Sequence, residues 1–189
     1  MREAVALLAG GAQRRFPGKL ERELRGKPLM LHAFETVRAS GYPVYVCGKA
    51  TFAPELDAAL DAPLIVDRFP GEGPLSALLG ACELIPAERI FAIAADMPRL
   101  PADHLERLAA EMQPGDEAVV PQHEGGIEPL AALYDRAALL RVGQELHRSG
   151  RSSMRDAIAR LATRFVREER RHFLNVNHPA DLADEEATT

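Results

Sequence analysis

The chain has 189 residues, nearly half of them apolar, and a formal net charge of −5. That length and apolar share suit one globular domain, so residues 1–189 are read as a single unit with a sizeable core. The acidic balance argues against a general nucleic-acid binder, and no apolar run approaches a membrane span.

The run Ala4 to Ala9 is short, bounded and aliphatic, which predicts a buried strand. No basic region precedes it as a leader would require, so a cytoplasmic location is expected. Gly10 and Gly11 follow at once, then Arg14, Arg15 and Lys19 with no acid among them. Bare backbone N–H groups at a strand end, followed by cations, suit a phosphate group. The plain alternative is a βα turn with solvated arginines. Composition weighs against it, because Lys19 is one of only three lysines beside twenty arginines. The stretch matches neither a P-loop nor GxGxxG.

Gly26-Lys27-Pro28 then opens a helix with Met30, Ala33, Phe34 and Val37 on one face, stopped by Gly41. Pro43 to Cys47 reads as a second strand, Pro54 to Leu60 as a helix, and Pro63 to Val66 as a third strand ending at Asp67. Pro74 starts a helix through Ile85. Ile90 to Ala95 is a fourth strand followed directly by Asp96, and Pro101 starts a helix to about Met112. Glu128 to Tyr134 reads as a strand entered from Gly125-Gly126, and Ser153 caps a later helix. The tail after Asp184 is expected to fray. Cys47 and Cys82 lack metal-ligand spacing and read as small core residues.

Short apolar strands alternating with helices imply an α/β fold with a mostly parallel sheet covered on both faces. Ligands on such sheets sit beyond the carboxyl ends of the strands, a rule that gathers Gly10, Gly11, Asp67 and Asp96 at one edge. A carboxylate at the end of a central strand needs a positive partner. For Asp96 that partner is a magnesium ion, or else the residue caps a helix or joins a loop salt bridge. Asn175 and Asn177 are the only asparagines, and their spacing puts both on one side of an extended segment. The alternative for them is a turn before the helix opened by Pro179.

Leu8-Ala9-Gly10-Gly11, Arg15, Phe16, Gly18 and Lys19 together resemble the nucleotide-binding signature of the molybdenum cofactor guanylyltransferase (MobA) family. Gly73-Pro74-Leu75, Asp67, Asp96 and Asn175-Val176-Asn177 extend the resemblance nearly to the end of the chain. Four departures stand out. Pro17 replaces a glycine, the spacing from Arg15 to Lys19 is one residue short, Lys49 replaces a nucleotide-contacting asparagine, and His178 replaces a threonine.

The resemblance implies a Rossmann-like three-layer α/β/α nucleotidyltransferase domain. It implies transfer of GMP from GTP to molybdopterin with release of pyrophosphate. It assigns catalysis to Arg15, Lys19 and Asp96, with magnesium on Asp96. It assigns nucleotide binding to Leu8, Ala9, Gly10, Gly11, Lys19, Asp67 and Asp96, and acceptor binding to Asn175 and Asn177. Proteins that deliver the cofactor, and chaperones that receive it, are the implied protein partners. A cytidylyltransferase of the same cofactor, a sugar-phosphate nucleotidyltransferase and a non-catalytic nucleotide-binding module remain alternatives. Leu-Ala-Gly-Gly and Gly-Pro-Leu favour guanine over cytosine.

Overall fold

A computed structural model of the chain describes residues 2–10, 16–48, 51–66, 73–150 and 153–187. Along them run β1 (Glu3–Leu8), a small hairpin of β2 (Glu23–Leu24) and β3 (Lys27–Pro28), α1 (Leu29–Ala39), β4 (Val44–Gly48), α2 (Pro54–Ala59) and β5 (Leu64–Val66). Then come α3 (Pro74–Leu84), β6 (Arg89–Ala94), α4 (His104–Glu111), β7 (Ala118–His123), β8 (Gly126–Ile127) and β9 (Ala131–Asp135). The last elements are α5 (Arg136–Arg148), α6 (Met154–Ile158), β10 (Thr163–Arg167) and α7 (Pro179–Ala187).

Ala4 through Leu7 are fully buried, and a strand without an exposed face belongs at the centre of a covered sheet. β1 indeed lies between β4 and β6 and runs parallel to both. The strand order is β10-β7-β9-β6-β1-β4-β5, with β8 paired to β7. Side-chain alternation along β1 divides the core into two layers. Ala4 and Ala6 pack with Leu78 and Cys82 of α3, Val142 of α5 and Ile158 of α6. Val5 and Leu7 face the other way, onto Met30 and Phe34 of α1 and Leu108 of α4. The three-layer expectation holds.

The mostly parallel sheet is found, with one reversed long strand, and two element boundaries need correction. β9 is antiparallel to both β6 and β7, so the sheet is parallel except for β9 and the short β8. The strand begins at Ala131, not Glu128. Glu128, Pro129 and Leu130 form its entry turn, where the Pro129 carbonyl accepts from the Tyr134 hydroxyl at 2.7 Å. The first helix starts at Leu29 because Lys27 and Pro28 are taken by the hairpin pairing with Leu24 and Glu23.

The tail does not fray at Asp184. Glu185 is buried and accepts Arg99 Nε at 2.7 Å, while its backbone carbonyl accepts Arg25 Nη2 at 2.7 Å. The periodic pattern of α7 was weak, and the anchor is ionic, so no apolar stripe announced it. Cys47 and Cys82 are buried and form no disulfide, and burial pushes the Cys82 thiol up to about 12.

α4 carries a buried histidine that sets an acid limit on stability. His104 Nε2 donates to the Ala131 carbonyl at 2.8 Å, and its ring stands edge-on to Phe173. Burial drives its pKa down to about 4 from an ordinary 6.5. Between those values the unfolded chain binds a proton that the folded chain refuses, so stability falls as pH drops through 6.5 toward 4. The full penalty is on the order of 3 kcal/mol. The melting temperature of His104→Leu is expected to start lower at pH 8, with the Ala131 carbonyl unpaired. It should then decline less steeply than wild type from pH 6.5 to 4.5. Parallel pH curves for the two proteins would contradict this account.

Candidate active site

The strand register makes the site. Leu8 stands opposite both Cys47 and Ala94, and Gly48 opposite Val66, so β1, β4, β5 and β6 end level at their carboxyl edge. Ala9 N–H donates to the Cys47 carbonyl at 2.7 Å, and Ala95 N–H to the Leu8 carbonyl at 3.1 Å. These bonds pin the first residues beyond β1 and β6. Gly48 allows the close approach of β4 to that turn: a Cβ there would lie 2.8 Å from the Ala9 carbonyl carbon. Backbone cannot yield as a side-chain tip can, so no larger residue fits.

Lys19 reaches this edge from a single 3-10 turn, Lys19–Glu21, entered through Gly18 at a φ of 69°. Its ammonium donates to Asp96 Oδ2, to the Val176 carbonyl at 2.7 Å and to Asn177 Oδ1 at 3.0 Å. All three ammonium protons are thereby placed. The Lys19 and Asp96 side chains are only 12% and 16% exposed, so their charges meet in partly desolvated surroundings. The salt-bridge alternative for Asp96 is thus realised, and with the very lysine the opening loop delivers.

The segment carrying the two asparagines is stitched to the same place. Val176 N–H donates to the Asp96 carbonyl at 3.1 Å, and the Val176 side chain is buried with Leu24 and Leu29. Asp181 Oδ2 accepts from the N–H groups of Asn177 and His178 at 2.7 and 2.8 Å. Those bonds, chiefly the one from Asn177, hold the Asp181 carboxyl below the usual range. An acid two residues after Pro179 is a helix-start signal. It could have been read from the sequence as the anchor of Asn177.

Residues 174–177 form no strand, and the two asparagines do not share one contact set. Asn177 joins Lys19, whereas Asn175 lines an adjoining cavity of about 350 Å³ with Met97, Glu128 and Arg155. The cavity lies beside Asp96 because antiparallel β9 begins where parallel β6 ends: Ala94 N–H donates to the Leu130 carbonyl at 2.8 Å. The reversed direction of β9 is what sets its entry turn, and with it Glu128, at this edge.

Of the expected site residues, Leu8, Ala9 and Gly10 stand at the end of β1, with Ala9 buried and Gly10 exposed. Lys19 bonds both Asp96 and Asn177, and Asn175 lines the adjoining cavity. Gly11, Arg15 and Asp67, and the departure at Lys49, lie outside the described residues. Among the described residues no three acidic, histidine or cysteine side chains are grouped to hold a metal. A single strand-end carboxylate beside an ammonium does not make a closed metal cage. It does fit magnesium held jointly by one carboxylate and the oxygens of a bound triphosphate.

The fold is that of the nucleotidyltransferases. A crystal structure of molybdopterin-guanine dinucleotide biosynthesis protein A from Archaeoglobus fulgidus superposes with a TM-score of 0.80 at 26% identity, covering 98% of this chain and 97% of that one. The chain belongs to the MobA-like NTP transferase domain family, whose model matches residues 5–166. A protein of Opitutus terrae described as a probable molybdenum cofactor guanylyltransferase is 34% identical, over 94% of this chain and 92% of its own. One of Pyrococcus horikoshii with the same description is 31% identical, over 96% and 98%. Among the described residues no helix is long and apolar enough to cross a membrane.

Proposed function

We propose that this protein is a molybdenum cofactor guanylyltransferase, which transfers GMP from GTP to the terminal phosphate of molybdopterin. Relatives similar over nearly the full length carry that description. The observation that carries the reading is the meeting of Lys19, Asp96 and Asn177 at the carboxyl edge, from three segments far apart in sequence.

A phosphate oxygen of molybdopterin attacks the α-phosphorus of GTP. The bond from that phosphorus to its bridging oxygen breaks, and pyrophosphate leaves with the electron pair. The attacking oxygen is already anionic, so no protein base is needed, and positioning with charge neutralisation does the work. The backbone at Leu8 to Gly11, with Arg15 and Lys19, holds the triphosphate. The Lys19 ammonium turns from Asp96 toward phosphate oxygens, a short swing on a flexible stem. Asp67 contacts the nucleotide, and Asn175 and Asn177 hold the acceptor. Asp96 is the residue that would hold magnesium, which when bound supplies charge neutralisation at the triphosphate.

The test is pyrophosphate release with GTP, CTP, ATP and UTP, each with and without molybdopterin, in magnesium. Release is expected only with GTP and molybdopterin together. Preference for CTP would make this a cytidylyltransferase, and nucleotide binding without release would make it a binding module.

A further inference from the structure

The cavity beside Asp96 has a mixed lining that suits a flat heterocycle. Met97, Leu130 and Met154 supply apolar wall, and Glu128, Arg155 and Asn175 supply polar groups. At about 350 Å³ it falls in the range, roughly 300–1,000 Å³, of sites that enclose small molecules.

Glu128 is aimed by its own support. Its Oε1 accepts from Nε2 of His123 at 2.8 Å. His123 Nδ1 accepts from the Gly125 N–H at 2.9 Å, which fixes the proton on Nε2. The imidazole is 4% exposed and stacks on Phe173 with ring centroids 6.0 Å apart. A carboxylate lining a cavity and clamped by a buried histidine is a rigid acceptor. It presents two oxygens to a ligand with two adjacent N–H donors.

We propose that Glu128 reads the 2-amino-4-oxo edge of a pterin ring and is the specificity residue for the acceptor. The assignment rests on the guanylyltransferase reading above. That edge offers the ring N3–H and the exocyclic amine side by side, a donor pair that a carboxylate accepts in parallel. The pterin faces then lie against the methionine and leucine walls. Guanine carries the same donor pair, so GTP is the other source of this chemistry. Pro74, of the segment that resembles the guanine side, lines one part of the cavity, but no residue of the Leu8–Gly10 turn does. Asn175, which the resemblance gives to the acceptor, lines it together with Glu128, which favours the acceptor.

The experiment uses the full chain and two probes, 6-hydroxymethylpterin and 6-hydroxymethyllumazine. The second has an oxo group in place of the 2-amine. Wild type is expected to bind the pterin at least about tenfold more tightly, because in the lumazine one carboxylate oxygen still accepts from N3–H while the other faces a carbonyl oxygen and repels it. Glu128→Gln keeps size and an acceptor for His123 but offers one acceptor and one donor. It is expected to abolish or reverse the preference for the pterin while leaving the Kd for GTP unchanged. Glu128→Asp keeps the charge and is expected to bind both probes more weakly while still preferring the pterin.

Retention of the wild-type preference in Glu128→Gln overturns the assignment, as does a wild type with no preference. A loss of GTP affinity in place of pterin affinity also overturns it and gives the cavity to guanine. Absence of GMP transfer by wild type refutes the proposed function in the pyrophosphate assay, whatever the probe titrations return.

Discussion

Asp96→Asn is expected to lower kcat/KM for GTP-dependent pyrophosphate release by about a hundredfold or more, with little change in melting temperature. The loss falls on the acid that follows β6 and meets the Lys19 ammonium in partly desolvated surroundings. Removing a placed charge or donor where transition-state charge develops costs factors of this order. The fold should survive for a local reason. The turn after β6 is held by the Asp96 backbone carbonyl, which accepts from Val176, and not by the carboxylate. An asparagine oxygen can still accept from Lys19, whose other two bonds go to Val176 and Asn177. Near-normal turnover in this variant would show that Asp96 has no part in the chemistry.

Lys19→Ala is expected to raise the KM for GTP or lower turnover by at least about tenfold, roughly 1.4 kcal/mol, the scale of one charge-assisted phosphate contact. Lys27→Ala is the matched control. Lys27 pairs with Glu35 on the exposed side of α1, 35% and 56% of the two side chains being accessible, and touches none of the site groups. Its loss should change the same parameters less than twofold. Equal effects from the two variants would mean that overall positive charge matters and the placement of Lys19 does not.

The central strands were legible because burial on both faces writes an unbroken apolar run, as at Ala4–Leu7 and Ile90–Ala94. From the strands, the edge rule brought Gly10 and Asp96 together without any knowledge of contacts. Lys19 was singled out by scarcity among twenty arginines, although its partners could not be named. Strand direction was not legible. β9 is as apolar as its parallel neighbours, and nothing in Ala131–Tyr134 records which way it runs. Missing that reversal concealed Glu128 and the cavity. The docking of α7 was hidden for a related reason: Glu185 is held by Arg25 and Arg99, pairs separated by 160 and 86 positions that leave no local pattern.

Lys19 finds one partner 77 positions downstream and another 158 positions downstream. On the ribosome, elongating at roughly 5–20 residues per second, these partners emerge several seconds apart. For that interval the nascent chain carries Lys19 and Asp96 but not the asparagine segment that completes their grouping. An incomplete chain can therefore build the central sheet pairing of β1 with β6 without holding a finished site. A chain that ends before residue 173 lacks Val176 and Asn177, two of the three groups that hold the Lys19 ammonium.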